Sequence, residues 1–249
     1  MPQSRLPEKW ALLVSLPESN LKPVSRASGT STVGTSRMNE ECVVKFHAKH
    51  KLGVACSETD IMDLAIWREK LRMKGLIGQD SAKYEGLGYG NLSQQMGDGT
   101  YLIIGSQTRH LEKLTSREFA RITGFDPGYN LVWSTGMSRP SSEAMTHLAV
   151  CQTNPAAHYV FHVHCPEIWS AQEDLDIPTT DSSAECGTLE MFYIVRRLLE
   201  KQENYQKGIL AMGGHIDGIL TWGNTADEAG FNLLALLARA ARPTPRVTN

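Results

Sequence analysis

Hydrophobic and polar positions change their spacing repeatedly along this 249-residue chain after about residue 40. Short runs of β-branched and aromatic residues alternate with stretches whose apolar positions recur every three or four residues. The first pattern predicts strands and the second predicts amphipathic helices. Strands are expected at "ECVVKFHA" (41–48), "TYLIIGS" (100–106), "YNLVWST" (129–135), "GILAMGGH" (208–215) and "DGILTWG" (217–223). Within "AHYVFHVHCPEIW" (157–169), Tyr159, Val160 and Phe161 predict a further, buried strand.

The helical stretches carry their own punctuation. In "SETDIMDLAIWREKLRMKG" (57–75), Ser57 and Asp60 form a capping-box variant, Ile61, Leu64, Ala65 and Leu71 share one side, and Gly75 ends the run. Pro140 opens an expected helix over 140–152, because proline suits the first helical turn. Two more are expected over 187–202 and 225–240, the last boxed by Thr225 and Glu228. Thr115 and Glu118 in "TSREFARI" stand at the same capping-box spacing. Strands interleaved with helices predict a layered α/β domain, and the turn-separated strand pairs predict a mixed sheet. One domain is expected over 39–243, preceded by a flexible N-terminal arm at 1–38 whose Ser/Thr/Gly-rich stretch shows no periodicity.

Charge narrows the range of partners. Twenty-five basic and 27 acidic side chains give a net charge of -2, so there is no one-signed field to hold nucleic acid or an anionic membrane. No apolar run approaches the roughly 20 residues of a membrane helix. Five scattered cysteines without a CxxC pair argue against a disulfide framework and for a reducing, cytoplasmic setting.

Two histidines in a buried strand call for a chemical reason. His162 and His164 are two apart, so both imidazoles leave the same face of the sheet. A strand histidine is more often a hydrogen-bonded core residue than a ligand, yet a same-face pair can supply two of the three or four donors of a zinc site. His215 in "MGGHIDG" is the best third candidate, since the flanking glycines permit close backbone approach. Around Pro140, Ser141, Ser142 and Glu143 are expected in a first helical turn, where unpaired N–H groups attract an anion. Simple helix capping is the alternative for the serines.

"GYGNLS" (88–93), "RPSSEAMTH" (139–147), "HVHCPEIW" (162–169) and "MGGHIDGI" (212–219) together resemble the signature segments of the class II aldolase/adducin family. Its members include fuculose-phosphate aldolase, ribulose-phosphate 4-epimerase and methylthioribulose-phosphate dehydratase. The resemblance implies a three-layer α/β/α domain around a mixed, largely antiparallel sheet. It implies His162, His164 and His215 as ligands of Zn2+ or another divalent metal, and Glu143 as the catalytic acid/base. Asn91, Ser106, Ser141 and Ser142 fall where sugar-phosphate members hold the substrate's phosphate. The resemblance also implies a homotetramer with active sites at subunit interfaces.

The chain departs from the pattern in three places. The family's C-terminal tyrosine has no counterpart after Tyr205, the loop after His215 is longer, and Arg109 follows the third phosphate turn. The function implied is a metal-dependent aldolase-type lyase acting on a small hydroxy-ketone or sugar phosphate through an enediolate. An epimerase or dehydratase would use the same metal with another proton route. A non-catalytic adducin-like scaffold is the alternative of another class, and the complete histidine set with Glu143 argues for the enzyme. A hydrolase using the same metal would instead attack with metal-bound water.

Overall fold

The computed structural model describes residues 44–241. The expected N-terminal arm, residues 1–38, lies outside them, as do the first three residues of the expected strand at 41–48. That strand begins later than its hydrophobic run suggests. Strand β1 (His47–Leu52) leads to helix α1 (Met62–Met73), the short pair β2 (Gly78–Gln79) and β3 (Gly88–Tyr89), and then β4 (Asn91–Gln95), β5 (Tyr101–Ile104), β6 (Phe119–Asp126) and β7 (Leu131–Gly136). Helix α2 (Ala144–Thr153), strand β8 (Tyr159–His164), and helices α3 (Pro166–Ser170), α4 (Leu189–Leu199) and α5 (Gln202–Gln206) follow. Strands β9 (Ile209–Ala211) and β10 (Gly218–Gly223) and helix α6 (Ala226–Ala240) complete the described chain.

Eight of these strands form one sheet in the order β1-β7-β6-β5-β4-β8-β10-β9. Only β1 and β7 run parallel among them, so the sheet is mixed and largely antiparallel. Strand alternation divides the apolar residues between two faces. On one face Val160, Leu210 and Leu220 pack with Met145 and Leu148 of α2 and with Met191, Phe192 and Val195 of α4. On the other, Phe161, Val163 and Ile219 pack with Leu64, Trp67 and Leu71 of α1, Ile168 of α3 and Leu233 of α6. Helices therefore cover both faces, giving three α/β/α layers.

Two expectations from capping signals are met and two are corrected. Ser57 and Asp60 close a reciprocal box: Ser57 N donates to Asp60 Oδ2 at 2.8 Å, and Asp60 N to Ser57 Oγ at 3.3 Å. Thr225 Oγ1 likewise accepts from Glu228 N at 3.1 Å at the start of α6. The Thr115–Glu118 box also forms but spans only a single 3-10 turn, Ser116–Glu118. The residues after it bury Phe119, Ala120, Ile122 and Phe125 and continue as β6, paired with β5 and β7 on either side. Pro140 does not open α2 either. It pairs with Gly105 in an isolated antiparallel bridge, which holds the chain extended, and the helix starts four residues later. Among the described residues no helix is long and apolar enough to cross a membrane.

Candidate metal centre

Strand β8 has Val160, His162 and His164 on the face covered by α2 and α4, and Phe161, Val163 and Cys165 on the other. The antiparallel partner β10 places Leu220 opposite His162 and Gly218 opposite His164. The tight turn before β10 therefore arrives at the end of β8 with His215 on it. That turn is closed by His215 N donating to Met212 O at 3.1 Å and Gly218 N donating to His215 O at 2.9 Å. His215 Nε2 stands 3.2 Å from His162 Nε2 and 2.9 Å from His164 Nε2. All three rings are buried.

These nitrogens cannot satisfy one another. An N–H···N contact needs one proton and one lone pair, and a single Nε2 on His215 cannot serve two partners well at once. Burial, reinforced by the charge that a protonated His215 would carry, holds His162 and His164 well below the ordinary imidazole value. Both are therefore neutral, with lone pairs available to a cation. Three imidazole nitrogens converging on one buried point fit the protein ligand set of a catalytic zinc site, which leaves a position open.

Glu143 is the residue that caps α2, not a member of its first turn. Its side chain is 4% exposed, and Oε2 has no hydrogen-bond partner among the described residues. One carboxylate oxygen, the Cys186 sulfur and a nitrogen of His215 all lie within 4.8 Å of one another. Burying a carboxylate oxygen without a partner is costly, so the arrangement suits a cation or a hydrogen-bond donor brought in by a ligand.

The expected anion-binding residues divide into two groups. Asn91 sits opposite His162 on β4 and donates from Nδ2 to Ser141 Oγ at 3.1 Å. Ser141 Oγ also accepts from Arg109 Nη2 at 2.9 Å and from Glu143 N at 3.3 Å, and both Asn91 and Ser141 are fully buried. The two thus hold Arg109, whose Nε and Nη1 donate to the carbonyls of Gly90 and Gly105 at 3.0 Å each. Asn91, Ser106 and Ser142, unlike Ser141, line a cavity of about 620 Å³, together with Arg109, Glu143 and the three histidines. Glu185 pairs with Lys45 at 2.9 Å with its side chain 62% exposed, turned to solvent.

Three residues enter this neighbourhood that the sequence did not single out. Tyr84 and Tyr89 line the cavity, and both rings pack on His164. Tyr84 also donates to Asp217 Oδ2 at 2.8 Å. Cys186 is the third. Tyr84 and Glu85 both have positive φ (47° and 56°), a strained local path that no residue pattern announces.

His147 is buried with Nδ1 2.7 Å from Ser93 Oγ. Burial, with a smaller effect from the Arg109 charge, pushes its pKa from 6.5 down to about 3. The unfolded chain takes up a proton near pH 6.5 that the folded chain refuses. Folding stability is therefore lost as pH falls below about 6.5 and continues to fall towards about 3. The thermal midpoint of metal-free protein should drop steadily between pH 7 and pH 5. A midpoint that is flat or rises over that range would contradict a neutral, buried His147.

With the three imidazoles and the carboxylate in place, likeness to known proteins becomes informative. Residues 80–242 match the model of the Class II Aldolase and Adducin N-terminal domain. The chain belongs to the class II aldolase and adducin family. Among solved structures, YgbL from Klebsiella pneumoniae is similar at 18% identity over 75% of this chain and 89% of its own, with a TM-score of 0.56. An L-fuculose 1-phosphate aldolase matches at 17% identity over 77% and 92%, with a TM-score of 0.55. A sugar-phosphate aldolase from Thermotoga maritima matches at 15% over 73% and 92%, also at 0.55. At such identities the likeness concerns the class II aldolase fold. A search of curated proteins by sequence finds no match.

Proposed function

We propose that this chain is a metal-dependent lyase of the aldolase type, acting on a small hydroxy-ketone or sugar phosphate. The observation that carries the reading is the convergence of three buried imidazole nitrogens beside a buried carboxylate oxygen, at the wall of a cavity. A scaffold domain would have no use for three buried histidines aimed at one point, because burying polar groups costs stability unless the site repays it.

His162, His164 and His215 would hold the ion, zinc or another divalent metal. A divalent ion there supplies Lewis-acid polarisation of the substrate's oxygens, which stabilises the negative charge that develops when a carbon–carbon bond breaks. Glu143 takes up or delivers the proton at the carbon that gains that charge. Its position at the head of α2 gives the carboxylate a rigid mount. Ser106 and Ser142 donate hydrogen bonds to the substrate's far end from the cavity wall. Asn91 and Ser141 act on that end by fixing Arg109, whose cation favours an anionic group such as a phosphate. Following the family resemblance, the enzyme is read as a cytoplasmic homotetramer of carbohydrate metabolism, with the cavities at subunit seams.

The test is an assay of protein loaded with zinc against 2-ketose phosphates and their unphosphorylated analogues. Aldehyde release that stops on chelation and returns with metal is the expected result, with free phosphate competing where the substrate is a phosphate ester. Deuterium exchange next to the carbonyl without cleavage would replace the lyase by an epimerase or dehydratase. Neither cleavage nor exchange from metal-loaded protein would overturn the enzymatic reading.

A further inference from the structure

Cys186 has no part in the proton transfer assigned to Glu143, yet its sulfur lies within 4.8 Å of the Glu143 carboxylate and a ring nitrogen of His215. All three side chains are only 4% exposed. Two glycines permit the approach. Gly187 adopts φ +70°, and a Cβ there would come within 2.9 Å of Ser142 O, beside Glu143. A Cβ on Gly214 would lie 2.0 Å from Ala184 O, so only glycine lets the turn bearing His215 press against the loop that carries Cys186. That loop is thus fitted between the head of α2 on one side and the His215 turn on the other. The Glu143 Oε2 atom, buried and without a partner among the described residues, completes the cluster.

We propose that Glu143, Cys186 and His215 form a second metal position overlapping the three-histidine one and sharing His215 with it. The proposal rests on the reading above for the metal-holding role of His215. The two positions differ in charge. Three imidazoles leave a divalent ion with its full charge. A carboxylate with a thiolate neutralises it, the thiol proton leaving to solvent as the sulfur lone pair engages the ion. Mixed oxygen, sulfur and nitrogen donors select thiophilic divalent ions such as zinc, cobalt and cadmium over magnesium or calcium. An ion in this position also occupies the carboxylate needed for proton transfer. The second position is therefore inhibitory, and a thiophilic ion drawn into it slows the enzyme.

Cobalt(II) titration of chelator-treated protein, followed by absorption, tests this without recourse to activity. Nitrogen-bound cobalt shows visible ligand-field bands, and a bound thiolate adds a near-ultraviolet charge-transfer band. Wild-type protein should show both. Cys186→Ser and Cys186→Ala should each lose the charge-transfer band and keep the visible ones. His162→Ala should retain the charge-transfer band, because the second position does not use that ring.

Visible bands without a thiolate band in wild-type protein would overturn this proposal and leave the three-histidine centre intact. So would a thiolate band that survives Cys186→Ser, or one that His162→Ala abolishes. Protein that takes up no cobalt at all would sink both positions together.

Discussion

Replacing Glu143 with Gln is expected to lower turnover by on the order of 10²- to 10⁴-fold, the usual worth of a positioned acid/base. The amide keeps the size and planar shape of the carboxylate, so the head of α2 and the hydrogen bond from Glu143 N to Ser141 Oγ are undisturbed. What disappears is the capacity to accept a proton. The buried Oε2 has no hydrogen-bond partner to lose among the described residues. The variant should therefore fold with unchanged thermal stability or gain a little, because an uncharged group is cheaper to bury. It should keep the metal held by the three histidines. Turnover and metal content measured on the same preparation decide the matter. Near-full turnover, or loss of the metal along with activity, would show that Glu143 is not the proton carrier.

The second large effect is expected at His215. It is the ring that both others face, at 2.9 and 3.2 Å, while His162 and His164 are held by their strand whether or not an ion is present. His215→Ala removes one of three protein ligands. Metal affinity should fall by more than the roughly 10- to 100-fold that loss of an outer supporting group costs. Folding should survive, since His215 sits on a turn and its backbone hydrogen bonds to Met212 and Gly218 do not need the ring. Competition against a chromophoric chelator measures the loss. Unchanged affinity in His215→Ala would exclude the ring from the site.

How far this was legible in the sequence depended on the range of the interactions. The same-face pair His162 and His164 could be read directly, because alternation along a strand is a local rule that tertiary packing does not alter. The third histidine needed only the flanking glycines and the expectation that two strands would meet around it. The start of α2 misled. Proline suits an extended bridge as well as a first helical turn, and Gly105 across the gap decided for the bridge. The Thr115–Glu118 box misled similarly. A capping box secures one turn, and the burial of Phe119, Ala120 and Ile122 against neighbouring strands determined what followed.

Nothing local marked Cys186 or Tyr84. Cys186 reaches the centre through the close approaches of Gly187 to Ser142 and Gly214 to Ala184. Tyr84 reaches it by a left-handed backbone step and a hydrogen bond to Asp217, 133 positions away in the chain. The polar group around Arg109 was half legible. A motif could pick out Asn91 and the serines, but the placing of Arg109 beside Ser141 follows from carbonyls at Gly90 and Gly105 that no motif records.

The central claim is that His162, His164 and His215 hold one divalent ion, and metal content tests it most directly. Protein purified without chelators, dialysed against zinc and analysed for metal per chain should carry at least one ion. In a Cys186→Ser background, which lacks the second position, each of His162→Ala, His164→Ala and His215→Ala should lose most of it under the same dialysis while remaining folded. Metal-free wild-type protein, or three variants that retain the wild-type content, would contradict the account.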